Sequence, residues 1–174
     1  MIGISKFREQ GYKDPLLVKV MKEHRFTELP LYQHRPPEQM ARRNRWMELA
    51  EQRDGPVNAE RLDFTDAARV SAEIKQAALD FGAADVGIAR LTPVMIREGC
   101  ELDHDFVVCT IHKEDYAEAL KGPRATETEA CEAYVRCAEV STKLAEHIRS
   151  LGYPAIAHHN GACDVQAIPA MHAA

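Results

Sequence analysis

The sequence predicts a small α/β (α+β) fold in which a short sheet is flanked by helices. Residues 65–81 place apolar side chains at helical spacing, and Gly82 follows as a stop. Residues 105–112 (DFVVCTIH) are β-branched, aromatic and nearly continuous in hydrophobicity, which is typical of a strand covered on both faces. The amphipathic stretch Thr126–Leu151 predicts a long helix, which either Thr126 or Thr128 caps and which ends in basic side chains.

Shorter patterns complete the predicted order of helix, strand, strand, helix, strand and helix. Thr65 is the predicted N-cap of the first of these helices. A strand is predicted at Asp85–Leu91, and one helical turn at residues 94–96. After Gly152 the pattern predicts a third strand, Tyr153–Ala157, and then a turn and an alanine-rich segment.

Residues 1–62 are the least regular part of the chain, because prolines interrupt them repeatedly. A short helix is predicted at Pro15–His24, and a second at Glu38–Gln52, ended by the Asp-Gly-Pro run at 54–56. We therefore expect an irregular helical arm over residues 1–62, followed by the main α/β unit over residues 63–174.

Composition and charge exclude several functional classes. The chain has 174 residues, of which 45% are hydrophobic and 28% charged, as in ordinary globular proteins. A net charge of −5 provides no basic field for nucleic-acid phosphates. No apolar run approaches the roughly 20 residues that span a bilayer. The Arg42-Arg43 pair precedes a polar stretch, unlike an export signal, so a cytoplasmic location is predicted, with no membrane and no nucleic-acid partner.

The five cysteines are spaced too widely for a metal centre. There is no C-x2-C pair, and structural zinc sites and iron–sulfur clusters need closely spaced thiolates, so free thiols in a reducing compartment are predicted. Cys163 lies close in sequence to two histidines and Asp164, but proximity in sequence does not make a catalytic triad. We therefore predict no catalytic residue and no metal ligand in this chain.

Four consecutive residues are the strongest candidates for a binding site: His158, His159, Asn160 and Gly161. On a strand the two histidines would point to opposite faces and would not chelate one metal. Asn-Gly is a turn signature, and a turn with small residues and free amides lets a ligand approach the backbone closely. Two edge histidines beside an ordinary turn would give the same pattern, so both readings remain open.

The same region carries a family resemblance. Residues 149–161 (RSLGYPAIAHHNG), followed by VQAIP at 165–169, resemble cobalamin-dependent reductive dehalogenases and, more loosely, epoxyqueuosine reductases. Residues 72–91 and 105–116 extend the resemblance over roughly the last two-thirds of the chain. It implies a partial nitroreductase-like, cobalamin-binding domain that takes part in reductive removal of halide from an organohalide. It also implies that the segment His158–Gly161 forms one wall of the corrinoid pocket.

The resemblance also implies parts that this sequence lacks. The family's two 4Fe-4S clusters and its proton-donating tyrosine match no residue here, so they are expected in a missing C-terminal part beyond Ala174. We therefore expect the isolated chain to be inactive, and to bind either that C-terminal segment or a second copy through an exposed docking face. An epoxyqueuosine-reductase-like enzyme acting on tRNA is an alternative, disfavoured by the acidic charge and the long leader. A non-catalytic corrinoid-binding or scaffold module is the other.

Overall fold

The computed structural model describes residues 36–160 and 162–174 of the chain. Within them lie five α-helices and one two-stranded sheet. The elements are α1 (Pro37–Glu51), α2 (Ala67–Asp80), β1 (Asp85–Arg90), β2 (Phe106–Ile111), α3 (Tyr116–Ala119), α4 (Pro123–Ser150) and α5 (Ala167–Ala173), with a 3-10 turn at Pro93–Met95. The predicted mixed α/β class is therefore confirmed. The helix predicted at Pro15–His24 and the candidate residue Gly161 lie outside the described residues.

The sheet is a tight antiparallel pair that is covered on both faces. Asp85 pairs with Ile111 at one end. The face that carries Val108 packs, with its neighbours on β1, into a core between α2 and α4. The other face carries Val107 and packs against Ala170 of α5 and the adjoining 3-10 turn. The two-sided burial predicted for β2 is confirmed, and its physical source is one layer of helices on each face of an antiparallel pair.

Helix α2 begins one residue later than predicted. Its N-cap is Asp66, whose carboxylate accepts hydrogen bonds from the backbone N–H groups of Ala68 and Arg69 at 2.9 and 3.2 Å. Thr65 is therefore not the cap, because the neighbouring aspartate accepts the two N–H groups itself. The predicted stop at Gly82 is confirmed, since this residue has a φ of +111°.

The start of α4 was also predicted wrongly. The helix begins at Pro123, directly after Gly122, because proline is preorganised for the first helical position. Thr126 and Thr128 lie inside the helix instead of capping it. Their hydroxyls donate to the carbonyl oxygens four residues earlier, at 3.1 and 2.9 Å.

The third predicted strand, Tyr153–Ala157, does not form. These residues lie against an irregular segment, residues 53–62. Individual hydrogen bonds, and not a continuous ladder, join the two segments. The Tyr153 hydroxyl donates to the carbonyl of Leu62 at 2.7 Å, and the Ala157 N–H donates to the carbonyl of Arg53 at 2.8 Å. A strand needs a paired neighbour along its length, and residues 53–62 supply only isolated contacts.

The described part of the predicted arm, residues 36–62, packs closely on α4. Helix α1 lies alongside α4, where the Trp46 and Tyr134 ring centroids are 5.1 Å apart. An ion pair joins Arg45 to Glu139 at 3.3 Å. Residues 37–62 thus share an extensive interface with the main unit, while the division of the chain at residue 62 stays a prediction. None of the helices in the described ranges is both long and apolar enough to cross a membrane.

Candidate functional site

The predicted site residues lie on a short loop, residues 158–164, which we call the histidine loop. The loop closes through an isolated antiparallel bridge between His159 and Ala162, with N–H to carbonyl distances of 3.2 and 3.0 Å. Asn160 lies at the tip, which confirms the predicted turn. Asn160 is exposed, whereas Ala162 is 1% exposed. The loop therefore buries its base and presents its tip.

His158 accepts a hydrogen bond at its Nδ1 atom. The backbone N–H of Asp164 donates to its Nδ1 at 3.2 Å. Burial lowers the pKa of His158 to about 4, and the nearby positive charge of Arg53 acts in the same direction against the opposing Asp164 carboxylate. The His158 ring is therefore neutral near neutral pH.

His159 exposes less of its surface than His158 does. The residue is 4% exposed, and its Nδ1 lies 3.1 Å from the Asn160 carbonyl oxygen. Burial lowers the pKa of His159, although the backbone carbonyls of Asn160 and Leu49 oppose this. The two rings thus have different surroundings, and among the described residues no three metal-binding side chains are grouped together.

An ion pair from the distant segment after α1 fixes the far end of the histidine loop. Arg53 Nη2 lies 2.5 Å from Asp164 Oδ2, and these side chains are 18% and 8% exposed. Burial opposes ionisation of the Asp164 carboxyl, but the hydrogen bond and charge of Arg53 outweigh it and hold the pKa of Asp164 below its usual range. The indole N–H of Trp46 also donates to the carbonyl of Asn160. Residues 46–53 therefore hold the histidine loop at both its tip and its end.

The thiol near the loop is not arranged as a nucleophile. Cys163 donates its S–H to the carbonyl of Val165 at 2.9 Å, and burial raises its pKa. The neighbouring His158 uses Nδ1 for a backbone amide and not for this thiol. All five cysteines are free, as predicted.

Acid is expected to destabilise the chain through His158. Because its pKa is about 4 in the fold against an ordinary 6.5, the unfolded chain binds the proton first as the pH falls. The stabilisation is complete above pH 6.5 and is lost progressively toward pH 4, at most about 3 kcal/mol. Urea unfolding of the wild type and of His158→Asn between pH 7.5 and 4.5 measures this loss of stability. An identical pH dependence in both chains would contradict this assignment.

Comparison with known proteins places this fold. No protein-family model and no curated protein sequence matches the chain. Among solved structures, the catabolic reductive dehalogenase NpRdhA matches with a TM-score of 0.60 and 25% identity, over 75% of this chain and 19% of that one. A reductive dehalogenase structure described as suggesting a mechanism for B12-dependent dehalogenation matches with a TM-score of 0.61 and 25% identity, over 76% and 19%. A variant of NpRdhA gives a TM-score of 0.63 at 23% identity, over 76% and 21%.

The chain thus spans about one fifth of the length of the dehalogenases that it matches. The match covers three quarters of this chain, so it involves most of the described elements rather than a single motif. The family resemblance read from the sequence is confirmed by this likeness. The chain has a reductive-dehalogenase-like fold, equivalent to one segment of those proteins.

Proposed function

We propose that this chain is part of a cobalamin-dependent reductive dehalogenase, in which the histidine loop forms one wall of the corrinoid pocket. The observation that carries the proposal is the likeness to dehalogenases of which one is described as B12-dependent, at 25% identity over 76% of the chain. Because the chain spans only a fifth of those proteins, the removal of halide from an organohalide belongs to the assembled protein. Bound cobalamin would supply the redox chemistry, while the protein positions the cofactor and excludes water.

The chemistry of the histidine loop fits a corrinoid. The rim of a corrin carries neutral amide side chains, so a complementary surface needs neutral donors and acceptors. His158 is neutral, and Asn160 offers an exposed amide at the tip. The one acid of the loop, Asp164, is neutralised by Arg53, so no unpaired charge is buried there.

Each of the four predicted residues then has a distinct part in the proposal. His158 and Asn160 contact the corrinoid rim. His159 is buried, so it supports the loop from beneath. Gly161 lies outside the described residues, and it has no side chain to keep a ligand away from the backbone.

The proposal assigns the 4Fe-4S clusters and the proton donor to a segment other than this one. The cysteines of this chain are separate free thiols, and a cluster of that kind needs grouped thiolates. The same segment is our proposed partner at α5, where Ile168 and Met171 are 83% and 52% exposed. Such side chains on a helix facing solvent are suited to burial by a second unit.

Corrinoid binding by the 174-residue chain tests the proposal. Its single tryptophan, Trp46, contacts the loop tip, so a bound corrinoid that absorbs at the emission wavelength is expected to quench its fluorescence saturably. Asn160→Asp places a charge against the neutral rim, and it is expected to weaken binding about tenfold. The control, Gln76→Glu, adds the same charge on the exposed side of α2, where it also removes a hydrogen bond to Asp80, and it should bind like the wild type. Quenching no greater than that of free N-acetyltryptophanamide would overturn the proposal.

The need for a second segment is tested by activity. With cobalamin and a strong reductant, the isolated chain is expected to release no bromide from a bromophenol. Bromide release above that of cobalamin alone would show that the isolated chain is sufficient for the reaction. Binding without turnover, even after the rest of the polypeptide is supplied, would instead favour a corrinoid-binding module.

A further inference from the structure

The hydrogen bond that His158 accepts determines where its proton lies. A backbone N–H is only a donor, so Nδ1 of His158 must be the acceptor in its contact with Asp164 at 3.2 Å. In a neutral imidazole one nitrogen accepts and the other carries the proton. The proton of His158 is therefore on Nε2. No hydrogen bond within residues 36–160 and 162–174 uses this second nitrogen, and the ring is only partly buried.

Three contacts from different parts of the chain keep the Asp164 amide in place. The Asp164 carboxylate pairs with Arg53 at 2.5 Å, and the Asp164 carbonyl oxygen accepts a hydrogen bond from the backbone N–H of Arg97 at 2.8 Å. Cys100 adds a weaker thiol contact to the carboxylate at 3.6 Å. Asp164 cannot rotate without breaking these contacts, so its amide remains directed at the His158 ring.

The surroundings of the ring also keep it uncharged. Burial is the largest influence on the pKa of His158, and Arg53, His104 and His159 all disfavour a second proton. Among the described residues Asp164 alone acts in the opposite direction, and its charge is already shared with Arg53. The ring thus offers one neutral N–H donor.

We propose that the Nε2–H of His158 is a fixed hydrogen-bond donor to a carbonyl oxygen on the amide rim of the corrinoid, with Arg53 and Asp164 as the positioning residues that set its tautomer. This inference rests on the proposed function of the histidine loop. A protonated Nε2 has no free lone pair, so in this tautomer His158 donates to the rim and does not ligate cobalt. The pair Arg53–Asp164 thereby links the predicted arm to the recognition of the ligand.

The tautomer is tested without any corrinoid. Long-range proton–nitrogen correlation spectra of the chain labelled with ¹⁵N-histidine separate protonated from unprotonated ring nitrogens. At pH 7 we expect His158 Nε2 in the protonated range and Nδ1 in the unprotonated range. Arg53→Lys should preserve this pattern, while a folded Arg53→Met chain should give averaged shifts. A protonated Nδ1 in the wild type would overturn the inference.

The donor role is tested with cobinamide, a corrinoid that lacks the lower base and so leaves both axial positions to the protein or solvent. His158→Gln places an amide N–H near the position of Nε2, whereas His158→Asn reaches only to the position of Nδ1. We expect the Kd of His158→Gln for cobinamide to lie within about twofold of the wild-type value. We expect His158→Asn to bind roughly five- to tenfold more weakly. Electron paramagnetic resonance of the reduced complex should show no splitting from an axial nitrogen.

The outcomes distinguish the donor role of His158 from corrinoid binding by the histidine loop. Equal binding by the Gln and Asn variants, with wild-type binding intact, would overturn the donor role and leave the proposed function standing. Axial nitrogen splitting that disappears in His158→Asn would overturn it too, since the ring would then be a ligand. Failure of the wild type to bind cobinamide would overturn both, and the nitrogen spectra would still decide the tautomer. Melting temperatures of both variants within a few degrees of each other confirm that the comparison concerns binding.

Discussion

Replacement of Asp164 by asparagine is expected to lower the free energy of unfolding by about 2–4 kcal/mol. The substitution keeps the size of the side chain and its oxygen toward Cys100, but removes the charge that faces Arg53. A guanidinium does not lose its proton, so the charge of Arg53 remains without a partner while its side chain is only 18% exposed. Urea unfolding at pH 7, followed by the fluorescence of Trp46, measures the loss.

The matched control is an exposed ion pair on α2. Arg69 and Glu73 lie 2.9 Å apart, with side chains 77% and 50% exposed, so Glu73→Gln removes the same charge in a well-hydrated setting. We expect it to change stability by less than about 0.5 kcal/mol. If the two substitutions cost the same, burial does not strengthen the Arg53–Asp164 pair, and its role in holding the histidine loop would be contradicted.

The elements that sequence predicted well are those whose signal is local. Strands β1 and β2 and helix α1 were predicted to within one or two residues, because their apolar patterns and flanking turn residues are contained within each element. The cap of α2 was predicted wrongly because two suitable residues, Thr65 and Asp66, adjoin, and hydrogen-bond geometry decides between them. The third strand failed because whether residues 153–157 pair depends on a neighbour more than 90 residues earlier in the chain.

In the candidate site, too, the residues predicted from the sequence are those with a local signal. The histidine loop was found from its turn residues and from the family resemblance, both readable in one short stretch. Trp46 and Arg53, which hold it, were missed because they lie 114 and 111 residues from their partners and no spacing rule connects them. An aromatic residue and an arginine are common in such a segment for purely structural reasons, so neither indicated a contact with the loop. Only the folded chain shows that Trp46 and Arg53 contact the histidine loop.

Among the described glycines, the largest effect of a substitution is expected at Gly152, which ends α4. Its φ is +88°, and its N–H and that of Tyr153 donate to Arg149 and Ile148 at 3.0 and 3.3 Å, the pattern of a Schellman motif. A Cβ at this position would lie 2.4 Å from the Cα of Arg61, a backbone atom that cannot move aside alone. We expect Gly152→Ala to cost about 3–4 kcal/mol, from the left-handed backbone and the overpacking together.

Gly99 separates these two contributions. Its φ is +78°, but a Cβ there would meet no atom within 4 Å, so Gly99→Ala is expected to cost only the backbone strain, about 1–2 kcal/mol. The additional loss of unfolding free energy at Gly152 then measures how firmly the backbone at Arg61 packs against the end of α4. A firm contact predicts that Gly152→Ala also speeds hydrogen exchange at the Leu62 amide, which donates to Leu151 at 3.1 Å. Equal costs at the two glycines would mean that residues 60–62 move away freely, and the arm would then be too loosely attached to position the histidine loop.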